Sequence, residues 1–578
     1  MNKNEIEIYQ AMEPIQYIWE DLLSQKEDAT IFQTFAWNRS WVNHLMQNDM
    51  EIFIMAFKSN NIYLGILPLL RVSVYNYHAS YSYKILRFIG YPDFDYTDMI
   101  CTNKNLAKVV SMWELWLEEN KNEWDVLFLS DVNETSRFHT ELENITNKMY
   151  SVKDYTKCNY VYPSKEYKEY LTKLGRNTRS HIIRSMRKVE NEYVIKDEAS
   201  DKLEIFIKLH QMRWNNINEP GVFDEDRKIE FHREIVRNDP THTKIKILYK
   251  ENKPIAAFYL FEYNNRVFYY LSGLDPTDSH LSAGTVLMMD TIQQAFKKNK
   301  TVDLLRGNQP YKTSYANQSF YNTSFLAACD ESVLHYVMEE EKSVRTRLTL
   351  SNLKKNMKNT AFNNIRRLPV NKGDRVLIIA PHFDDEVIGC GELICQQCLL
   401  GNPCDVLYLT DGTASHLSNI HPNKLFSVRK KEAEASKIHL GNFQMHCLGF
   451  PDGLLSRTRG VVKAIENFVN GKKYDYIFCP PPDDIHPDHS FACETVLQLR
   501  DVQMKSTICL YEILMPLKEA NAFLELEQYE KVMNATKCHA SQLGDLDYPR
   551  IMDNKSSIRG KQLGMNRCMV FKMLPEQL

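Results

Sequence analysis

Apolar residues along this chain fall into two rhythms, short unbroken runs and spaced helical stripes, and their alternation predicts an α/β protein. Early on, Glu51–Lys58 and Asn61–Val74 read as strands, Leu106–Asn120 as a helix and Trp124–Ser130 as a strand. Phe32–Trp41 reads as a loop entering a helix, and Phe88–Asp98 as an aromatic loop rich in Gly, Pro and Asp. Leu174–Glu190 is a basic amphipathic segment, with isoleucines and Met186 for one face and Arg176, Arg179, Arg184, Arg187 and Lys188 for the other. Leu203–Asn216 is helical and places His210, Arg213 and Trp214 on about one side. Lys244–Tyr249, Pro254–Tyr263 and Arg266–Ser272 form an antiparallel meander. Leu281-Ser282-Ala283-Gly284-Thr285 then opens a helix to about Lys298. Val302–Leu305 is a strand that ends in Arg306-Gly307-Asn308-Gln309-Pro310-Tyr311-Lys312. Glu339–Lys342 and Arg345–Arg367 read as one or two charged, solvated helices.

The sharpest break follows Val376-Leu377-Ile378-Ile379-Ala380, five apolar residues that end at Pro381. That pattern predicts a buried parallel strand. It releases His382, Asp384, Asp385 and Glu386 into a loop at the carboxyl end of a strand, where open α/β sheets gather their chemistry. Carboxylates crowded in this way repel unless something positive sits among them. A divalent metal meets that need, and mixed His/Asp ligation suits zinc, with other divalent metals also accepted. A further ligand comes from roughly a hundred residues on, where the short apolar strand Tyr476–Cys479 runs into Pro480-Pro481-Pro482-Asp483-Asp484-Ile485-His486-Pro487-Asp488-His489.

Composition narrows the class. At 578 residues the chain exceeds one core, and three to four domain-sized units is the expectation. A net charge of −3 argues against a nucleic-acid binder. No apolar run reaches the length of a membrane span, and the first residues lack a signal-peptide core, so a cytoplasmic enzyme is expected. Thirteen cysteines without framework spacing fit reduced, mostly buried thiols. Cys395 and Cys398 form a lone CxxC that reads as one buried helix face rather than a redox or zinc site.

The two His/Asp clusters resemble the PIG-L (LmbE-like) zinc deacetylases, which remove N-acetyl groups from amino sugars. The resemblance covers roughly residues 372–572. It includes Leu409-Thr410-Asp411-Gly412, Arg429, Glu432 and Ala433 of an R-x-x-E-A helix, Leu448–Gly453 of an LG-x-PDG segment, and a late helix ending in Ser541-Gln542. Phe383 stands where the family usually has proline. The resemblance implies a Rossmann-like, mostly parallel sheet over residues 372–578, with His382, Asp385 and His489 as metal ligands. It implies Asp384 as general base and His486 as donor to the oxyanion. Asp488 would orient a histidine, and Arg429 and Asp452 would contact sugar hydroxyls or phosphate.

The first part of the chain, roughly residues 5–325, resembles the CelD-type branch of the GNAT acyltransferases, related to FemAB-like enzymes that pair two GNAT-like halves. The carriers are the Arg-rich helix, the meander, the L-S-x-G-T-x-L helix and D-x-L-R-G-x-x-P-Y-K. It implies tandem α+β domains, a degenerate half at 1–150 and a transferase half at 151–330, with a charged helical linker at 331–371. Leu281, Ser282, Ala283, Gly284 and Thr285 would cradle the pyrophosphate of acetyl-CoA or another acyl-CoA at a helix N-terminus, although plain N-capping explains such a stretch equally well. His210, Arg213, Asp303, Arg306, Tyr311 and Lys312 are the transferase-site candidates. The expected substrate is a small amino sugar, free or carried by a nucleotide or lipid, with no nucleic-acid partner. Two alternatives stay open for residues 1–330: a non-catalytic recognition module, and a FemAB-like transferase drawing on charged tRNA.

Overall fold

The computed structural model describes residues 4–76, 81–163, 166–189, 192–198, 200–216, 221–277, 282–307, 309–413, 420–484, 486–503, 506–543 and 546–575. It divides into two compact units, Met1–Leu334 and His335–Leu578.

The first unit is built on one 13-stranded sheet. The same motif occurs twice along it. Tyr81–Phe88 and Val126–Asn133 are parallel strands joined through the helix Leu106–Glu119, and they pair only from Ile85↔Val126 to Arg87↔Phe128. Arg266–Leu274 and Thr301–Arg306 are parallel strands joined through the helix Ala283–Lys297, and they pair only from Arg266↔Thr301 to Phe268↔Asp303. Each second strand carries one left-handed residue, Asp131 (φ 57°) or Leu305 (φ 63°), and a register shift beside it. The chain thus lays down one strand–helix–strand unit twice along a single sheet. In the first motif the gap beyond the paired residues is taken by the chain itself: Thr97 bridges Val132, and its N–H donates to Asp131 O at 3.1 Å. The boundary expected near residue 150 falls where Tyr150–Val161 begins, and that strand pairs with Gln318–Ala328 and Thr301–Arg306. The sheet runs across it without interruption, which is why residues 1–334 form one unit.

Between this sheet and its helices sit two buried histidines, His210 and His232, each about 1% exposed and each with Nδ1 unpartnered. Burial and the nearby Lys228 and His210 charges push His232 down to about 3, and burial with Arg213 pushes His210 down to about 4. An unfolded histidine takes up its proton near pH 6.5, so between that pH and the folded value the unfolded chain binds a proton the folded one does not. Acid is therefore expected to destabilise this unit progressively below pH 6.5, with His232 contributing up to ~4 kcal/mol of the loss near pH 3. His232→Leu should flatten the acid limb in thermal denaturation of the full chain. An unchanged limb would show that the loss arises elsewhere.

The second unit holds an eight-stranded sheet in the order Ala361–Arg367, Glu519–Glu525, Cys568–Met573, Thr507–Tyr511, Tyr476–Cys479, Val376–Ala380, Cys404–Thr410, Gln444–Phe450. The five strands from Thr507–Tyr511 to Gln444–Phe450 are all parallel, and Cys568–Met573 runs antiparallel to both its neighbours. Successive strands step outward from Val376–Ala380 in one direction and then resume on its other side with Tyr476–Cys479. The sheet therefore reverses between these two, the crevice where such sheets bind ligands.

One sequence expectation is corrected here. The stretch Arg345–Arg367 is not all helix and not simply solvated. The helix Glu331–Met357 buries Leu350, Leu353 and Met357 against Ile551, and Ala361–Arg367 is a strand that pairs in parallel with Glu519–Glu525. Its charged, weakly alternating sequence conceals an edge strand, since only one side of it is paired and both faces are partly wet. Cys395 and Cys398 lie on the helix Asp385–Leu400, one buried and the other half-buried, and both are free thiols. No helix among the described residues is long and apolar enough to cross a membrane.

Candidate active site

Every residue of Val376–Ala380 is buried. At its end the chain must leave the sheet at once, and Asp384 takes an unusual backbone conformation (φ 155°, ψ −22°) as the residue before the helix Asp385–Leu400. Side chains from both strand ends converge there. His382 Nδ1 lies 3.2 Å from Asp385 Oδ2 and 3.2 Å from His489 Nε2, and His489 Nε2 lies 3.4 Å from Asp385 Oδ2. Three lone-pair donors thus form a near-equilateral triangle. Bonds of 2.0–2.1 Å to a tetrahedral zinc separate its ligands by about 3.3 Å, so these residues fit a divalent cation of that size. The two imidazole nitrogens face each other, and a single proton between them cannot serve all three atoms. Among the described residues, His382, His486 and His489 also bring one ligand atom each within 4.8 Å of one another, as do His382, Asp452 and Asp488.

The outward nitrogens of His382 and His489 lie near carboxylates. His382 Nε2 lies 3.0 Å from Asp452 Oδ1 and 3.5 Å from Asp488 Oδ2, and His489 Nδ1 lies 3.2 Å from Asp484 Oδ1. Carboxylates at these distances act on the rings through their charge. Asp488 also accepts the Gly453 and Leu455 N–H groups at 2.7 and 3.0 Å, tying the PDG turn to the H-P-D-H helix start. Burial opposes protonation of His382 and His489, yet the surrounding carboxylates prevail: His382 is held well above its usual range and His489 is raised to about 9. Burial acts the other way on Asp385, but His489 and His382 hold its carboxyl well below the usual range. Burial and the Asp385 charge raise Asp384 to about 7, and its carboxylate is hydrogen-bonded by Gln542.

His486 accepts the Asp488 N–H on Nδ1 at 3.3 Å, and burial with the charges of His382 and His489 lowers its pKa. A neutral ring accepting on Nδ1 carries its proton on Nε2, which makes it a donor. Arg429, 4% exposed, reaches within 3.9 Å of Asp452 Oδ2. A Cβ on Gly412 (φ 65°) would stand 2.9 Å from the Arg429 side chain, so the glycine serves both the turn and the arginine. Glu432 accepts from the Ser541 N–H and Oγ at 2.7 and 2.6 Å, which explains why R-x-x-E and S-Q occur together: one anchors the turn that brings Gln542 to Asp384.

In the first unit, Leu281 lies outside the described residues. Ser282 is left-handed (φ 53°, ψ 44°) and precedes Ala283, Gly284 and Thr285, the first turn of Ala283–Lys297. Among the described residues, a Cβ on Gly284 would meet nothing within 4 Å. Asp303, Arg306 and Lys312 come together: Lys312 Nζ donates to Arg306 O at 2.6 Å, and Asp303 accepts from Tyr96 OH at 2.7 Å. Arg306 contacts Asp131 at 2.8 Å and Asp95 at 3.3 Å. Tyr311 packs edge-on against Tyr269. Arg213 donates to Ser272 Oγ at 2.6 Å, whereas His210 accepts from Trp214 Nε1 at 3.0 Å within an aromatic cluster. Asp95, Tyr96 and Asp131 were not among the sequence candidates. The signal for Asp95 and Tyr96, the Gly/Pro/Asp-rich loop Phe88–Asp98, was visible, but its partners lie some two hundred residues away, and Asp131 lies within the strand Val126–Asn133.

Comparisons with known proteins divide the chain in the same way. Residues 377–499 match the family model described as PIG-L, GlcNAc-PI de-N-acetylase, and residues 176–313 match that of the acetyltransferase (GNAT) domain. A diacetylchitobiose deacetylase of Thermococcus kodakarensis is 34% identical over 130 residues, 22% of this chain and 48% of that protein. The chain therefore spans about half the length of this curated relative. The solved structure of an N,N′-diacetylchitobiose deacetylase from Pyrococcus horikoshii aligns at 24% identity and a TM-score of 0.32, over 40% of this chain and 92% of its own. FemX aligns at 9% identity and a TM-score of 0.43, over 58% of this chain and 99% of its own. The protein carries a PIG-L-type deacetylase domain toward its C-terminal end and a GNAT acetyltransferase domain in its N-terminal half.

Proposed function

We propose that the chain is a bifunctional enzyme that hydrolyses an N-acetyl group from an amino sugar and transfers an acyl group from acyl-CoA to an amine. The observation that carries the first activity is the triangle of His382, Asp385 and His489 at the sheet's switch point. A divalent cation, zinc by its donor set, would be held there and would supply Lewis acidity to the acetamide carbonyl and to water. Asp384 stands beside the triangle without belonging to it. It takes a proton from the attacking water and returns it to the leaving nitrogen. As the water oxygen bonds to the acetyl carbon, His486 Nε2–H donates to the carbonyl oxygen, which gains charge. The C–N bond then breaks, releasing acetate and the free amine. Asp452, Asp488 and Asp484 keep the ligand rings oriented, and Arg429 faces substrate hydroxyls or phosphate.

For the second activity, Ser282–Thr285 would receive the donor pyrophosphate, and the seam of Asp303, Arg306 and Lys312, closed by Asp95 and Asp131, would receive the amine. The amine nitrogen bonds to the thioester carbon as the C–S bond breaks, and the proton the nitrogen gives up goes to the sulfur, which leaves as the thiol. The reading is tested with the metal-loaded full chain and a panel of N-acetyl amino sugars, free and nucleotide-linked. Mass spectrometry should show loss of acetyl, abolished by chelation and restored by zinc. Failure on every member of the panel would overturn it.

One activity makes an amine and the other consumes one. If both handled acetyl on one nitrogen they would form a futile cycle, so the pair makes sense as an exchange of acetyl for another acyl group. Supplied with an N-acetyl sugar and several acyl-CoAs, the enzyme should place the new acyl on the nitrogen that lost acetyl, as located by NMR. An acyl on a second nitrogen, or none with any donor while deacetylation proceeds, would end the exchange idea.

A further inference from the structure

The helix Arg176–Arg187 carries Arg176, Arg179, Arg184 and Arg187, contains no carboxylate, and has Lys188 at its C-terminal cap. Ile182 and Ser185, 4% and 3% exposed, seat it on the unit. Arg179 donates to Thr172 O at 3.0 Å, and Arg184 only to Ser180 O of its own helix, at 3.3 Å. Among the described residues, Arg176, Arg184 and Arg187 form no ion pair, whereas Lys188 already has a partner. Like charges three and four residues apart destabilise a helix, and an anion would remove that cost. Helical spacing sets His181, Arg184 and Lys188 in one stripe. That stripe has a fixed place, because His181 Nε2 lies 3.3 Å from Thr285 Oγ1, which also accepts from Tyr315 OH at 3.1 Å. It therefore borders the first turn of Ala283–Lys297, where Ser282 makes no side-chain cap and, among the described residues, nothing stands within 4 Å of a Cβ on Gly284.

We propose that the His181/Arg184/Lys188 stripe binds the 3′-phosphate of a coenzyme A thioester, and so selects the acyl donor. The proposal rests on the transferase reading given above. Scale and field favour this ligand over a polynucleotide. From His181 to Lys188 the helix rises about 10 Å, room for one or two phosphates. A nucleic-acid backbone needs many cations in line, and here the sequence turns acidic directly afterwards, with Glu190, Glu192, Asp197, Glu198 and Asp201.

The test compares acetyl-CoA with acetyl-3′-dephospho-CoA by calorimetric titration of the full chain. The wild type should prefer acetyl-CoA by about tenfold to a hundredfold, as charge-assisted bonds to one phosphate allow. The double variant Arg184→Gln/Lys188→Gln should lose that preference while binding the dephospho donor as the wild type does. Its deacetylase activity, in the other unit, serves as the check on folding. Equal wild-type affinity for the two donors would overturn the proposal and leave the transferase reading standing, as would a variant that weakens both donors alike. Binding of neither donor by a wild type that still deacetylates would overturn both.

Discussion

Asp384→Asn is expected to retain full metal content and to deacetylate about a thousandfold more slowly, the scale of a lost general base. The substitution is nearly isosteric. Asn tolerates unusual backbone angles better than most residues, which matters at φ 155°, and its amide can still bond Gln542. What disappears is the capacity to accept a proton from water. His382→Ala, Asp385→Ala and His489→Ala should behave differently, losing the metal and the activity together, because each removes one corner of a triangle whose edges are 3.2 to 3.4 Å. Elemental analysis beside an assay for released amine separates the two classes, with donor binding by the first unit confirming that each variant is folded. Full turnover in Asp384→Asn would remove it as the base. Full metal content in His489→Ala would move the ligand set toward His486, which lies in the same cluster.

The His/Asp cluster after Ala380 was legible as a candidate site because two signals coincide in it. Five apolar residues ending at a proline announce a buried strand, and the His/Asp run behind them crowds more carboxylates than a helix start needs. The wider site was less legible, for reasons that are geometric. Asp452 reads in sequence as a substrate contact, yet its Oδ1 lies on His382 Nε2, and Asp484 reads as one more acid of its loop although it meets His489 Nδ1. Neither pairing follows from spacing, since it depends on where the PDG turn and the H-P-D-H helix meet across the sheet. Ala361–Arg367 was misread for a related reason: its strand state comes from pairing with Glu519–Glu525, more than 150 residues on, rather than from its own pattern. In the first unit the meander and its following helix were plain from periodicity. The partnership of Tyr96 with Asp303 and of Asp131 with Arg306 belongs to the repeat of the two splayed strand pairs, which sequence similarity between the halves is too faint to show.

Gly284→Val is expected to weaken acyl-CoA binding by about a hundredfold or more while leaving the fold and the deacetylase intact. A glycine is usually explained by its backbone or by a neighbour that leaves no room, and neither applies at Gly284. It lies inside a regular helix, its φ is not positive, and among the described residues a Cβ built on it meets nothing within 4 Å. Valine has a higher helix propensity than glycine, so stability should hold or rise slightly. A bare backbone at the start of a 15-residue helix suits close approach by a ligand. Free N–H groups and the helix dipole make that visitor an anion. A branched side chain would hold a pyrophosphate off those groups by more than an ångström, enough to break short, direction-dependent hydrogen bonds. Calorimetric titration with acetyl-CoA, beside thermal denaturation of the same preparation, decides the matter. Unchanged affinity in a variant of wild-type stability would remove the Ser282–Thr285 turn from the donor site.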